Sequence, residues 1–127
     1  MRKPTMTVPQ RRYRQKIDPM RDACPVRAAL DVVRGRWKPL LLFELHLGTR
    51  RFSELQKKLQ GASPQALALQ LRQLEADGVI VRRVYAAVPP RVEYSLTPLG
   101  SALGKVMDEL TAWGSEYLKS QRGNPGS

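Results

Sequence analysis

Between about residue 23 and residue 118 the apolar positions of the chain fall into blocks whose period changes from helical to alternating and back. Cys24-Pro25 opens a first helix, because proline is favoured at the first helical position, where its missing N–H costs nothing. Val26, Ala29, Leu30 and Val33 form its apolar face, and Gly35 ends it. Pro39 opens a second helix through Leu40, Leu41, Leu42, Phe43, Leu45 and Leu47 to a stop at Gly48. Being apolar nearly all round, it is predicted to be the buried centre of the domain. Ser53-Glu54-Leu55-Gln56 has the pattern of a capping box at the start of a short third helix, with Leu55 and Leu59 inward and Gly61 as a left-handed stop. Ser63 caps a fourth helix with Pro64 in its first position, running to about Ala76 before Asp77-Gly78. Residues 79–85 and 92–96 are rich in β-branched and aromatic side chains and predict two antiparallel strands joined by the loop 86–91. Thr97-Pro98 caps a last helix running to roughly Leu118.

The predicted order is helix, helix, short helix, helix, hairpin, long helix. This is the plan of a winged helix-turn-helix: mainly α, with a small β-hairpin wing. Three regions follow. Residues 1–22, with three prolines among basic residues, are expected to be a flexible arm; 23–118 is the folded domain; 119–127, ending Gly-Asn-Pro-Gly-Ser, is expected to be a frayed tail.

The fourth helix has two distinct faces. Leu67, Leu71 and Leu74 repeat at helical spacing and are the core face, while Gln65, Ala68, Leu69 and Arg72 fall opposite, with Ala76 farther along. Glutamine can pair with adenine, arginine with guanine, and alanine or leucine can meet a thymine methyl. Leu69 in the centre of a solvent face calls for a neighbour, DNA or protein. Ser63 and the open N–H groups of the first turn suit a phosphate. The alternative is an ordinary amphipathic surface helix, on which glutamine and arginine are common.

Charge turns this reading toward nucleic acid. The 127-residue chain carries a formal charge of +11 and a pI near 10.5. Residues 1–23 hold seven Lys/Arg against two acids and residues 50–91 eight against three, whereas 97–119 is net acidic. Arg82 and Arg83 lie on the first strand of the hairpin, and Arg91 follows Pro89-Pro90 in a stiffened loop, suited to a minor groove. Strand alternation puts only one of Arg82 and Arg83 on each face, so one of them is structural. Arg50, Arg51, Ser53, Lys57 and Lys58 are further candidates for phosphate contacts.

In the last helix Leu99, Leu103, Val106, Leu110, Trp113 and Tyr117 are spaced 4, 3, 4, 3, 4, with Ala102 and Met107 broadening the stripe. That seam lets a helix pack along a partner and predicts a homodimer, with the first helix joining the interface. Two reading heads would match an inverted-repeat operator with half-sites about one helical turn apart.

Five segments carry a family resemblance: Cys24-Pro25-Val26; Gly35-Arg36-Trp37-Lys38; Arg51-Phe52-Ser53-Glu54-Leu55; residues 71–78, Leu-Arg-Gln-Leu-Glu-Ala-Asp-Gly; and residues 89–97, Pro-Pro-Arg-Val-Glu-Tyr-Ser-Leu-Thr. They resemble the HxlR family, a branch near the MarR-type winged-helix regulators, over about residues 23–118, and the last segment is the most specific. The resemblance implies a homodimeric transcriptional repressor or activator that binds an inverted repeat. The chain departs from the family where Gln65 stands for a usual lysine, Ala68 for a threonine and Gln70 for a basic residue. An operator therefore cannot be borrowed from relatives, and the extension before Cys24 is longer than the family needs.

The resemblance also implies an oxidant- or electrophile-sensing role for Cys24, since several such regulators use a cysteine at this position. Independently, a thiol at a helix N-cap near Arg21 and Arg27 sits where the thiolate is favoured. With one cysteine in the chain, oxidation would have to link subunits or form an adduct. The alternative is a small residue that merely caps a helix.

The single cysteine also fits a reducing cytoplasm, and neither a secretory signal nor an apolar run of about 20 residues is present. His46 has no nearby cysteine or histidine and reads as a core or capping residue, so no metal or cofactor is expected. No phosphate-binding loop, nucleophile elbow or paired carboxylates appear, and the chain does not read as an enzyme. Two other readings stay open: a nonspecific architectural nucleic-acid binder, and a winged-helix module that docks a protein through Leu69.

Overall fold

The computed structural model describes residues 24–123. The segment 1–22, expected to be an arm, lies outside the described residues, as do the last four residues of the expected tail. Eight elements follow in order: α1 (Pro25–Val33), α2 (Lys38–Leu47), β1 (Arg50–Arg51), α3 (Phe52–Lys58), α4 (Pro64–Ala76), β2 (Ile80–Tyr85), β3 (Arg91–Leu96) and α5 (Pro98–Arg122). The strands form one antiparallel sheet in the order β1-β3-β2.

Prolines and hydroxyls set the helix starts as the sequence predicts. Cys24 is the N-cap of α1 and Pro25 its first residue. Ser63 Oγ accepts from Ala66 N at 3.0 Å to start α4, and Thr97 Oγ1 accepts from Gly100 N at 3.1 Å to start α5. Helix α4 ends in Asp77 and Gly78, whose φ of +79° suits glycine, with Val79 N donating back to the Leu74 carbonyl at 3.2 Å.

The core lies between α2, α3, α4 and the inner face of the sheet. Leu41, Leu42, Leu55, Leu67, Leu71, Leu74 and Ile80 are fully buried in it. Each contributes on the order of 1.5–3 kcal/mol by leaving water. The predicted inward pair of α3, Leu55 and Leu59, and the predicted inner face of α4 are all buried.

Four expectations about the elements are corrected. Helix α2 is not buried all round: Leu41, Leu42 and Leu45 face the core, but Leu40 and Leu47 are exposed, because the other elements pack on one side of it. Helix α3 begins at Phe52, not at a Ser53 cap. Arg51 is extended and paired with β3, and Glu54 reaches back to accept its backbone N–H at 2.7 Å. Arg91 belongs to β3 rather than to the loop, as the partner of Tyr85. Helix α5 runs past Leu118 to Arg122, where Gly123 caps it, so the expected tail starts as helix.

Helix α5 is seated through its small residues. Gly100 and Gly104 are buried, the first against the Val79 carbonyl and the second against the imidazole of His46. A β-carbon at either position would overlap those atoms. Leu103 packs against the core and Met107 is buried in it, and His46 Nε2 lies 3.2 and 3.3 Å from the two carboxylate oxygens of Asp108. His46 thus joins α2 to α5 as a packing residue. Among the described residues no helix is long and apolar enough to cross a membrane.

Candidate nucleic-acid interface

The short α3 and the longer α4, followed directly by the β2–β3 hairpin, present three surfaces. The first is the outer face of α4. With Leu67, Leu71 and Leu74 committed to the core, Ser63, Gln65, Leu69 and Arg72 are left exposed and Ala68 half-buried. Leu69 is 43% exposed although large and apolar. This face offers an amide, a guanidinium and two apolar side chains on one rigid helix.

The second surface lies between the wing loop and the start of α3. Arg51, Phe52 and Ser53 from the start of α3 and Ala87, Pro89, Pro90, Arg91 and Val92 from the wing line one open cleft of about 480 Å³. Three predicted contact residues, Arg51, Ser53 and Arg91, are therefore brought together, with an apolar floor between them. Arg91 is held in place: its Nε lies 3.1 Å from Glu93 Oε2, and its guanidinium sits 4.6 Å from the centre of the Tyr85 ring. Arginine stacked on an aromatic face and paired with a carboxylate has less rotational freedom than a free one.

Register divides Arg82 and Arg83 as alternation requires. Arg82 is the cross-strand partner of Tyr94 on the inner face, where its positive charge acts on the Tyr94 phenol and on the Glu75 carboxyl of α4. Burial raises the Glu75 carboxyl, with Arg82 opposing, and burial likewise raises the Tyr94 phenol, again with Arg82 opposing. Arg82 is thus the member of the pair engaged by the fold, tying the wing to the end of α4. Arg83 is exposed and donates to Ser95 Oγ at 3.2 Å. Of the remaining cations, Arg50 turns to Glu44 at 3.7 Å, while Lys57 and Lys58 are exposed on the last turn of α3.

The third surface is apolar. Leu99, Val106, Leu110, Trp113 and Tyr117 of the predicted seam are exposed, as are Val26 and Leu30 of α1. Of the same seam, Leu103 turns to the chain's own core, as does the broadening Met107. Trp113 and Tyr117 stack with ring centres 5.4 Å apart. Cys24 is exposed at the N-cap of α1.

Beneath these surfaces Lys38, at the start of α2, is buried. Burial lowers its pKa below the usual lysine value, opposed by the negative charges of Asp77, at the end of α4, and of Asp31 in α1. Reading the sequence found Arg91 but not the groups that hold it, nor β1. The alternation Arg91-Val92-Glu93 carries the signal, since residues two apart on a strand share a face.

Comparison with known proteins agrees with this geometry. Residues 32–122 match the family model described as HxlR-like helix-turn-helix. The chain is 40% identical over 114 residues to the HTH-type transcriptional regulator YybR of Bacillus subtilis, covering 87% of this chain and 91% of that one. It is 47% identical over 96 residues to the HTH-type transcriptional regulator YdeP of Bacillus subtilis, covering 76% and 75% of the two chains. Among solved structures, the redox regulator HypR in its reduced form superimposes with a TM-score of 0.75 at 39% identity, covering 80% of this chain and all of that one.

Proposed function

The chain belongs to the HxlR-like helix-turn-helix family of transcriptional regulators, and from that premise we propose that it acts as a homodimer reading an inverted-repeat operator. The observation that carries this reading is the split of α4: three leucines are locked in the core while Gln65, Ala68, Leu69 and Arg72 face outward on the same rigid helix. Such a helix can lie in a major groove, with Ser63 at its start toward a phosphate and base edges met by the amide and guanidinium. Arg51, Ser53 and Arg91 in the cleft beside the wing loop, with exposed Arg83, would follow the backbone and the adjacent minor groove.

The dimer is supported by the apolar surface of α1 and α5. Trp113 is 66% exposed, Leu99 63% and Val26 66%, large apolar side chains that a monomer would leave in water. A second copy packed along this seam would cover it and fix the spacing of two α4 helices. The test is stoichiometry with footprinting on a bound duplex. The reading requires two chains per site and two protected patches about one helical turn apart. One chain per duplex, or protection without a repeat, would overturn it.

An oxidant response through Cys24 in the cytoplasm is part of the same reading, supported by the similarity to the redox regulator HypR and by the exposed position at the start of α1. Because the chain has one cysteine, a disulfide would join two subunits, each thiol giving up one proton and one electron to the oxidant. The variant Cys24→Ser should bind DNA as the reduced protein does and ignore diamide. If it still releases DNA on diamide treatment, Cys24 is not the sensor.

A further inference from the structure

One face of the three-stranded sheet is a basic surface built around a single acid. Cross-strand partners share a face, and so do residues two apart along a strand. The register therefore places Arg51 of β1, Arg91, Glu93 and Ser95 of β3, and Val81, Arg83 and Tyr85 of β2 on one side of the sheet. Arg51, Glu93 and Arg83 are direct neighbours in one row across the three strands. The opposite side, with Ile80, Tyr94 and Leu96, faces the core. Three arginines thus surround one carboxylate, and that carboxylate makes a 3.1 Å ion pair with Arg91, whose guanidinium also lies over the Tyr85 ring.

We propose that Glu93 is a positioning residue for DNA recognition, which holds the Arg91 guanidinium on Tyr85 beside the wing cleft and subtracts one positive charge from the surface around it. The proposal rests on the DNA-binding reading above and deepens it. Two consequences of opposite sign follow from one side chain. A fixed guanidinium loses less freedom on binding, so a site that fits it gains over one that does not. A face carrying one charge fewer attracts any duplex less, whatever its sequence. Glu93 therefore lowers affinity for random DNA and raises discrimination. A carboxylate that served only to fold the sheet would do neither.

The test measures equilibrium binding of the full chain, by fluorescence anisotropy at one fixed salt concentration, to two duplexes. One is a random-sequence duplex; the other is a site enriched from a random pool by the wild-type protein. Glu93→Gln is expected to bind the random duplex about threefold more tightly and to lose about fivefold in the ratio of specific to random affinity. Tyr85→Leu, which keeps every charge and removes the ring beneath Arg91, is expected to lower the ratio without tightening random binding. In an Arg91→Ala background, Glu93→Gln should leave the ratio unchanged.

A Glu93→Gln variant that weakens both duplexes equally, or moves neither, overturns the proposal, as does a change in ratio that persists without Arg91. If Glu93→Gln fails to fold, as read by circular dichroism, the Tyr85→Leu ratio decides: no fall in it overturns the positioning of Arg91. Wild-type protein that binds duplexes without discriminating among them, or binds none, overturns the DNA reading and the proposal together. Wild-type discrimination with an unchanged ratio in both variants overturns the proposal alone.

Discussion

Gly104 of α5 lies against the imidazole ring of His46 of α2, close enough that a β-carbon would overlap Nδ1 and Cε1 of the ring. This contact sets how near the long helix approaches the helix at the centre of the domain, and so how the apolar seam is carried relative to α4. The hydrogen bond from the same ring to Asp108 is on the exposed side, with the Asp108 side chain 68% accessible. Packing rather than that polar contact should therefore hold the two helices together. Gly104→Ala is expected to destabilise the fold by about 1–3 kcal/mol in urea unfolding, as overpacking does. Asp108→Asn should cost less than about 1 kcal/mol.

Thr97 ties the end of the wing to the end of α4. Its hydroxyl donates to the Gly78 carbonyl at 2.6 Å and accepts from Gly100 N at 3.1 Å, and its backbone N–H donates to the Val79 carbonyl at 3.1 Å. Thr97→Ala should lose about 1–2 kcal/mol of stability and Thr97→Ser much less, since serine keeps the hydroxyl. Thermal unfolding of the two variants, followed by circular dichroism, checks the order.

Lys38 gives the fold a pH signature at the alkaline end. Its folded pKa lies below the value of about 10.5 it has when unfolded, because burial outweighs the attraction of Asp77 and Asp31. The unfolded chain therefore binds more protons at this residue, and the associated stability is fully present above pH 10.5 and lost as pH falls through the folded pKa. Compared with Lys38→Met, the wild type should gain stability as pH rises from 7 toward 10. Parallel unfolding curves at every pH would show that the lysine is not desolvated in the fold.

Arg72 should behave differently from the cations of the α3 turn. Arg72→Ala is expected to cost about 1–3 kcal/mol on a preferred site and to relax selectivity at one position of each half-site. Lys57→Ala or Lys58→Ala should weaken binding to all sequences alike and make the salt dependence shallower. Binding isotherms at several salt concentrations separate the two behaviours.

The seam of α5 should be the interface that brings two chains together. Trp113→Glu places a charge among exposed apolar neighbours without touching the core. It is expected to give a folded monomer with DNA affinity lowered at least about tenfold, as the second reading head is lost. Sedimentation velocity and anisotropy on the same sample check both halves of this expectation.

Much of this architecture was legible in the sequence because its boundaries are chemical. Pro25, Ser63-Pro64 and Thr97-Pro98 mark helix starts that hold to the residue, and the leucine spacing of α4 gives its inner face. What was missed depends on contacts between distant segments. Strand β1 is two residues long and exists only because β3 is there to pair with it, which also moved the start of α3 from Ser53 to Phe52. The exposed side of α2 was hidden because a run of leucines shows hydrophobicity but not which neighbours will cover it. At the candidate site the sequence supplied Arg51, Ser53 and Arg91 as separate residues. Their meeting in one cleft, and the inward turn of Arg82 toward Tyr94, follow from sheet register, which helix and strand patterns alone do not fix.

Selection of random duplexes by the purified, reduced chain at physiological salt tests whether this protein reads sequence as a pair of α4 helices. The expected result is enrichment of an inverted repeat with half-sites about 10 base pairs apart, centre to centre. Binding with no enriched motif would mean that charge alone makes the contact and that the outer face of α4 reads nothing.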